Sequence, residues 1–278
     1  MIDHDHRDIT DLRRTGPLSR IGALSLRHLY LLRGSWPRLL ELIYWPTVQM
    51  ILWGLITQFL MTQSLWVQQA GGALIAGVLL WDVLFRGQLG FTLMFLEEMW
   101  SRNLGHLFMS PLRPHELCLS LMLIGAIRTL IGIVPAALLA IPLYHYSIFT
   151  MGLPLLAYFS LLLVFGWAIG IAITAILLRW GLAAENLAWL MVFALAPISG
   201  VYYPIDVLPA WLRPVAWALP SSHVFEGMRD VLFHGTFRVD LFATAVVLDL
   251  VYMALAALLF LWSFKVARRE GLLLRTGE

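Results

Sequence analysis

Long apolar stretches alternate with short polar ones along nearly the whole chain after residue 40. A helix needs roughly 20 such residues to cross the hydrocarbon of a bilayer. Six segments meet or approach that requirement: 39–61, 71–95, 117–143, 153–178, 184–200 and 241–264. Ahead of them, residues 19–36 set Ile21, Leu24, Leu26, Leu29, Leu31 and Leu32 among Arg20, Arg27 and Arg33. That is the pattern of an amphipathic helix lying at a membrane surface, or of the first helix of a soluble cap. The first of these gives the reading adopted: an all-α integral membrane protein with an N-terminal interfacial helix and six transmembrane helices.

The fifth segment is the weakest span. Glu185 and Asn186 open it and leave only about fourteen apolar residues before Gly200, short of the roughly 20 required. Pro197, Tyr202, Tyr203, Pro204, Pro209, Trp211, Pro214, Trp217 and Pro220 follow. Prolines at this density remove helix donors and force breaks. Broken backbone is tolerated at membrane depth only where protein or a water-filled cavity satisfies its polar groups. Residues 200–223 are therefore expected to form a re-entrant helical segment bordering a transport path, with an ordinary extracellular loop as the plainer alternative.

Composition sharpens the class. Hydrophobic residues make up 60% and charged residues 13% of the 278, about half the charged share of a soluble domain. The basic residues mark topology, because cytoplasmic loops retain Lys and Arg. With an even number of spans, fourteen of the nineteen fall on one side and only Arg213, Arg229 and Arg238 on the other, with Arg86 and Arg128 inside spans. The expectation is a multi-pass protein of the inner (cytoplasmic) membrane with both termini in the cytoplasm. The formal charge of +2 is too small, and too regularly placed, for nucleic-acid binding. Residues 1–18 form a polar tail without the apolar core of a cleavable signal, and 265–278 a cytoplasmic C-terminal tail. His4 and His6 alone in that N-terminal tail are too few for a metal site. The single cysteine, Cys118, lies in an apolar segment and reads as packing.

Catalytic motifs are missing. A phosphate-cradling loop ends in Gly-Lys-Ser/Thr, and the only lysine, Lys265, stands between Phe264 and Val266. His115-Glu116 begins like a zinc-protease helix, but Leu119 occupies the second histidine's place. Ser222-His223 near Glu226 and Asp230 has hydrolase residue types without a Gly-x-Ser-x-Gly elbow. No catalytic residue, metal site or bound cofactor is expected of this chain.

The segment 97–115, EEMWSRNLGHLFMSPLRPH, is the most informative polar stretch. Charged Glu97, Glu98, Arg102 and Arg113 alternate with Trp100, Leu104, Leu107, Phe108 and Met109, spaced mostly three or four apart. A short amphipathic helix over about 97–110, ended by Ser110-Pro111, suits a groove in a soluble partner. Two glutamates, an amphipathic helix and Ser110-Pro111-Leu112 leading into the third span resemble the coupling-helix region of ABC-2 type permeases. Leu219-Pro220-Ser221-Ser222-His223-Val224-Phe225-Glu226-Gly227-Met228-Arg229 is similar to the segment before that family's last span. The resemblance covers roughly residues 19–270, with 37–264 as the transmembrane domain. It departs from the family at Arg102, Asn103 and Gly105, where Gly, Thr and Glu are common.

The resemblance implies the membrane-spanning subunit of an ATP-binding-cassette exporter. A partner ATPase, in two copies, then uses ATP and magnesium below the membrane, and a second permease copy completes a homodimer or a pair with a related subunit. Its substrates are implied to be glycoconjugates, lipids or hydrophobic small molecules. Glu98, Trp100, Arg102, Leu104, Leu107, Phe108 and Met109 are the expected docking residues. Path or gate candidates are Asp82, Arg86, Arg128, Tyr202, Tyr203, His223, Glu226 and Arg229.

Intramembrane charge marks function or pairing. Asp82 and Arg86, four apart on one helical face, are expected to pair. Arg128 and Asp249 are a second candidate pair, or Arg128 serves an anionic headgroup. Two rival classes remain: an ion-coupled transporter or channel using Asp82, Arg128 and Asp249, and a membrane enzyme using His223 and Glu226. Gly166-x-x-x-Gly170 permits close helix contact in the fourth span.

Overall fold

A computed structural model describes residues 16–63 and 65–272. Most of the polar N-terminal tail, with His4 and His6, and the end of the C-terminal tail lie outside the described residues. Those described form ten α-helices joined by short 3-10 turns: α1 Pro17–Arg33, α2 Trp36–Gln63, α3 Leu65–Trp100, α4 Leu104–Met109, α5 Pro114–Tyr144, α6 Leu153–Trp180, α7 Asn186–Leu195, α8 Arg213–Trp217, α9 Pro220–His234 and α10 Val239–Arg269.

Five of these, α2, α3, α5, α6 and α10, are long and apolar enough to cross a membrane. Six were expected. The segment read as the fifth span carries only the ten residues of α7, about 15 Å of helix against a hydrocarbon core of about 30 Å. Glu185 and Asn186 hold its start, and Pro197 follows its end closely. The chain continues in turns up to Gly200, where φ is +66°.

The bundle is organised around α3. Helix α6 runs parallel to it in close contact: a Cβ on Gly166 would lie 2.7 Å from the Leu84 carbonyl, and one on Gly170 3.0 Å from that of Gln88. The Gly-x-x-x-Gly spacing therefore removes side-chain bulk where two backbones touch. Gln88 Nε2 donates to the Ala188 carbonyl at 3.0 Å and ties α7 to the same helix. Helices α2 and α5 also run parallel, with Leu42 beside Gly132 and Tyr144 filling the space over Gly54.

Burial follows this plan. Phe91, Phe95, Leu84 and Leu96 of α3, and Tyr158, Phe165 and Leu162 of α6, are enclosed. Helices α2 and α10 instead turn Leu52, Leu55, Phe59, Leu250, Leu255 and Leu258 outward. Apolar side chains on an outer surface over the length of a helix indicate that hydrocarbon, not water, is the solvent there.

Candidate functional site

Both ends of the α3–α5 connection are fastened to α1. Helix α3 stops at Trp100 because Arg102 adopts φ +54°, and its N–H and that of Asn103 return to the carbonyls of Met99 and Glu98. This is a Schellman ending with arginine in the left-handed position that glycine favours. Glu98, 2% exposed, accepts from Arg27 at 2.8 and 3.2 Å and from Asn103 Nδ2 at 2.6 Å. At the other end Glu116, fully enclosed, accepts from the Arg113 backbone N–H at 2.8 Å and from Arg20 at 3.0 and 2.6 Å. Ser25 and Ser120 hydroxyls meet at 3.0 Å between these two forks. Planar guanidinium on carboxylate is the arrangement that fixes orientation as well as distance.

The Glu116 hydrogen bond raises the Arg20 pKa above its ordinary value, so this guanidinium stays charged. His28, 5% exposed, has its pKa lowered by burial, a shift opposed by the Glu98 carboxylate, which lies 3.8 Å from Nε2. The clamp residues Arg20, Arg27 and Glu116 were not among the expected docking residues. Their signal was the seven-residue spacing of the arginines, two helical turns on one face, opposite a carboxylate at each end of the loop.

The expected helix over 97–110 is corrected to α4 alone, because Glu97 and Glu98 belong to the end of α3. Its presentation is corrected too. Leu104 is buried, Leu107 and Phe108 pack on the bundle, and the Phe108 ring lies 4.6 Å from that of Phe264 on α10. The apolar side thus faces the protein's own core. Trp100, Arg102, His106 and Met109 are the side chains turned outward, with Met109 79% exposed.

A model of the ABC-2 type transporter family matches residues 32–233, from the end of α1 into α9. The chain belongs to the ABC-2 transporter family. Comparison with curated proteins gave no match. It is thus a membrane-spanning chain of an ABC transporter, and the family implies an ATPase as its partner. In this ABC-2 chain, Arg20 and Arg27 of the clamp precede the matched region.

The second feature is a cavity of about 470 Å³ between α2, α3, α5 and α7 of the ABC-2 fold. Glu41, Asp82, Arg86 and Arg128 supply its charges, and Trp45, Phe85, Trp189 and Phe193 much of its apolar wall. Asp82 and Arg86 pair as expected, with Nε 2.6 Å from Oδ2. Gly132 leaves room for that guanidinium, since a Cβ there would lie 3.2 Å from Arg86 Cζ. Arg128 does not meet Asp249, so the second candidate pair does not form. Among the described residues Arg128 Nε is enclosed without an acceptor, and both Asp249 oxygens are enclosed without a donor.

At the far end of the bundle, residues 200–223 break into a 3-10 turn at Ile205–Val207 and the helices α8 and α9. Glu226 accepts the Ile205 N–H at 2.7 Å, and Arg229 donates to the Gly200 carbonyl at 2.7 Å while lying 2.8 Å from Glu226. Tyr202 stacks on Trp53 with centroids 4.5 Å apart, and the Tyr203 hydroxyl donates to the Pro197 carbonyl at 2.6 Å. His223 Nε2 donates to the Trp217 carbonyl at 2.9 Å, whereas Ser222 Oγ lies 3.4 Å from the Ile198 carbonyl. Serine and histidine are each committed to a backbone carbonyl, which is not a nucleophile–base arrangement.

Proposed function

We propose that this chain is the permease subunit of an ATP-driven exporter that moves an amphipathic substrate, such as a glycoconjugate, lipid or hydrophobic small molecule, out of the cytoplasm. One observation carries the reading: a six-residue helix, α4, held at a basic end of the bundle with Trp100, Arg102 and Met109 presented outward. The clamp of Arg20 and Arg27 on Glu116 and Glu98 makes α1 and the α4 loop one unit. A push on α4 from an ATPase is then transmitted to α3 and α5, which wall the cavity. ATP and magnesium are handled by that ATPase, in two copies, and this chain holds no cofactor.

In this reading α4 and both termini lie on the cytoplasmic side of the inner membrane, as the crowding of basic residues there favours. Residues 200–223 re-enter from the opposite side and gate the outer end of the path. Exposed Leu190 and Met191 on the short helix α7, outside the cavity lining, suit a second permease copy across that path, in a homodimer. The ion-coupled alternative loses support because Asp82 is committed to Arg86 and no contact joins Arg128 to Asp249.

The test is purification of the chain in mild detergent with identification of what accompanies it. A stoichiometric ATP-binding-cassette ATPase is expected, released by the double variant Trp100→Ala/Met109→Ala, and substrate movement should be sensitive to vanadate. Transport by the isolated chain on an ion gradient, or retention of the ATPase by the double variant, overturns the assignment.

A further inference from the structure

The cavity walled by α2, α3, α5 and α7 contains an unmet electrostatic demand that narrows the class of molecule it accepts. Four charged side chains line it. The Asp82 carboxylate and the Arg86 guanidinium satisfy each other at 2.6 Å. Arg128 projects from the middle of α5 and makes no hydrogen bond or ion pair within the described residues, and its Nε is sealed from solvent without an acceptor. Glu41, the remaining charge of the lining, is exposed and one turn from Arg38; Glu97 attracts Arg128 through space but lies 3.7 Å from Arg38, and neither carboxylate is within ion-pair distance of Arg128. An exposed carboxylate is satisfied by water. The Nε–H of Arg128, enclosed at bilayer depth, is not, and an enclosed donor without a partner is costly.

The void has the size of a ligand pocket, at about 470 Å³. Beyond its charges it offers flat apolar surface from Trp45, Phe85, Trp189 and Phe193, with the Phe85 and Trp189 rings 6.4 Å apart in an edge arrangement. A cationic or neutral occupant would leave Arg128 as it is. An occupant bearing an oxyanion would pair with the terminal Nη groups of Arg128, which are not enclosed and have no acceptor among the described residues, and the planar fork of arginine suits a phosphate or carboxylate in particular.

Resting on the export reading above, we infer that this cavity binds an amphiphile with a phosphate or carboxylate head, Arg128 taking the oxyanion and the Trp45–Phe85–Trp189–Phe193 wall taking its hydrocarbon or ring. The Asp82–Arg86 pair bounds the head site and sets its depth. Two sources supply such a molecule, a phospholipid of the surrounding leaflet or a free carboxylate or phosphate amphiphile, and the recognition chemistry is the same for both.

The experiment measures the melting temperature of the full chain in a neutral maltoside detergent. Dodecyl phosphate, dodecanoate, dodecanol and dodecyltrimethylammonium are titrated in parallel, because a ligand bound only by the folded state raises its melting point. The two anions are expected to give a saturable rise and the neutral and cationic chains none. Arg128→Gln should weaken the anion midpoint about tenfold or more, and Arg128→Lys should restore part of it. Equal responses to dodecanol and dodecanoate overturn the inference without any variant, so a misfolded Arg128→Gln does not shield it. An unchanged anion midpoint in a folded Arg128→Gln also overturns it. Added phosphatidylglycerol that competes with dodecanoate supports the site and names bilayer lipid as the source; no competition alongside the anion response supports it with a free amphiphile as the source. No ATPase is present, so loss of the ATPase with anion binding retained counts against the export reading alone, and the converse result against the cavity alone.

Discussion

Arg27 and Glu98, 71 positions apart in the chain, join through two guanidinium–carboxylate hydrogen bonds of 2.8 and 3.2 Å. The two ends of that fork sit in different surroundings. The Glu98 side chain is 3% exposed and that of Arg27 39%. Removing the arginine leaves an enclosed carboxylate still held by Asn103, whereas removing the carboxylate leaves a guanidinium that water can reach.

Substitution at this fork should therefore be asymmetric. Arg27→Ala leaves an enclosed charge short of donors and is expected to cost about 1–3 kcal/mol, more than Glu98→Gln, which keeps the shape and the Asn103 contact. For a chain of this size each kcal/mol moves the melting point by about 2–4 °C. Melting curves in neutral detergent give the comparison, and the double variant should lose less than the sum of the singles. Equal, additive losses would show that the fork is not a shared interaction.

Arg102 tests the ending of α3 by a different route. Its φ of +54° places a side chain in a conformation that costs L-residues roughly 1–2 kcal/mol. Arg102→Gly relieves that cost while adding about 0.5–1 kcal/mol of unfolded-chain entropy, so a small net stabilisation is expected. A melting point lowered by Arg102→Gly would mean that the exposed guanidinium makes contacts within the folded chain that outweigh its backbone. If ATPase binding weakens while stability rises, Arg102 belongs to the docking surface.

Much of this architecture was legible in the sequence, and the misses have physical causes. Spans one to four and six were plain because their apolar runs exceed the bilayer requirement. The 184–200 segment misled because hydropathy records what lipid or protein tolerates, not how much helix forms. Packed on the bundle through Ala188, Val192 and Leu195 and exposing Trp189, Leu190 and Phe193, a ten-residue helix followed by turns is as apolar as a span. The 97–110 segment shows the converse error. Periodicity identified an apolar face at Leu104, Leu107 and Phe108, but a period cannot say whether that face meets a partner or the chain's own α10. The Asp82–Arg86 pair was readable because four residues is a local distance on one helix; Arg128 and Asp249 were not, since no sequence rule sets the distance between helices.

His28 makes the α1 attachment sensitive to acid. Its folded pKa lies below the ordinary 6.5, chiefly through burial. Between that depressed value and 6.5 the unfolded chain binds more protons than the folded one, so stability rises with pH there. The contribution is complete above pH 6.5 and is lost as pH falls below it. Melting points over about pH 5 to 7.5 should decline on the acid side, and His28→Gln should flatten that decline. A slope unchanged by His28→Gln would assign the titration to another group.

Gly166 and Gly90 offer a matched pair for the helix contact. At Gly166 a methyl group would lie 2.7 Å from the Leu84 carbonyl and 3.0 Å from the Gln88 nitrogen, backbone atoms that cannot swing aside. Gly166→Ala is expected to cost about 1–3 kcal/mol by forcing α3 from α6. Nothing lies within 4 Å of a Cβ at Gly90, so Gly90→Ala should be neutral or stabilising by up to about 1 kcal/mol from helix propensity. Equal losses at the two positions would contradict the close parallel packing of α3 and α6.

Glu226 ties the broken segment to α9 at one point, and its removal should loosen that segment selectively. Its carboxylate accepts the Ile205 N–H at 2.7 Å and lies 2.8 Å from Arg229 Nη2, while Arg229 Nη1 donates to the Gly200 carbonyl at 2.7 Å. Glu226→Ala deletes the acceptor for Ile205 and frees Arg229 from its only paired charge among the described residues. The turn from Gly200 to Leu208 then loses its tie at Ile205 and keeps the Arg229 bond to the Gly200 carbonyl and the Arg213 bonds to the Leu208 and Asp206 carbonyls. Hydrogen exchange should accelerate across 200–208 while the amides of α3 and α6 keep their protection, because local opening is governed by the contacts of the opening unit. Glu226→Gln retains an acceptor oxygen for Ile205 and should show an intermediate rate. If exchange rises uniformly across the bundle, Glu226 supports the whole fold; if exchange at 200–208 stays unchanged, the Ile205 contact does not hold the turn.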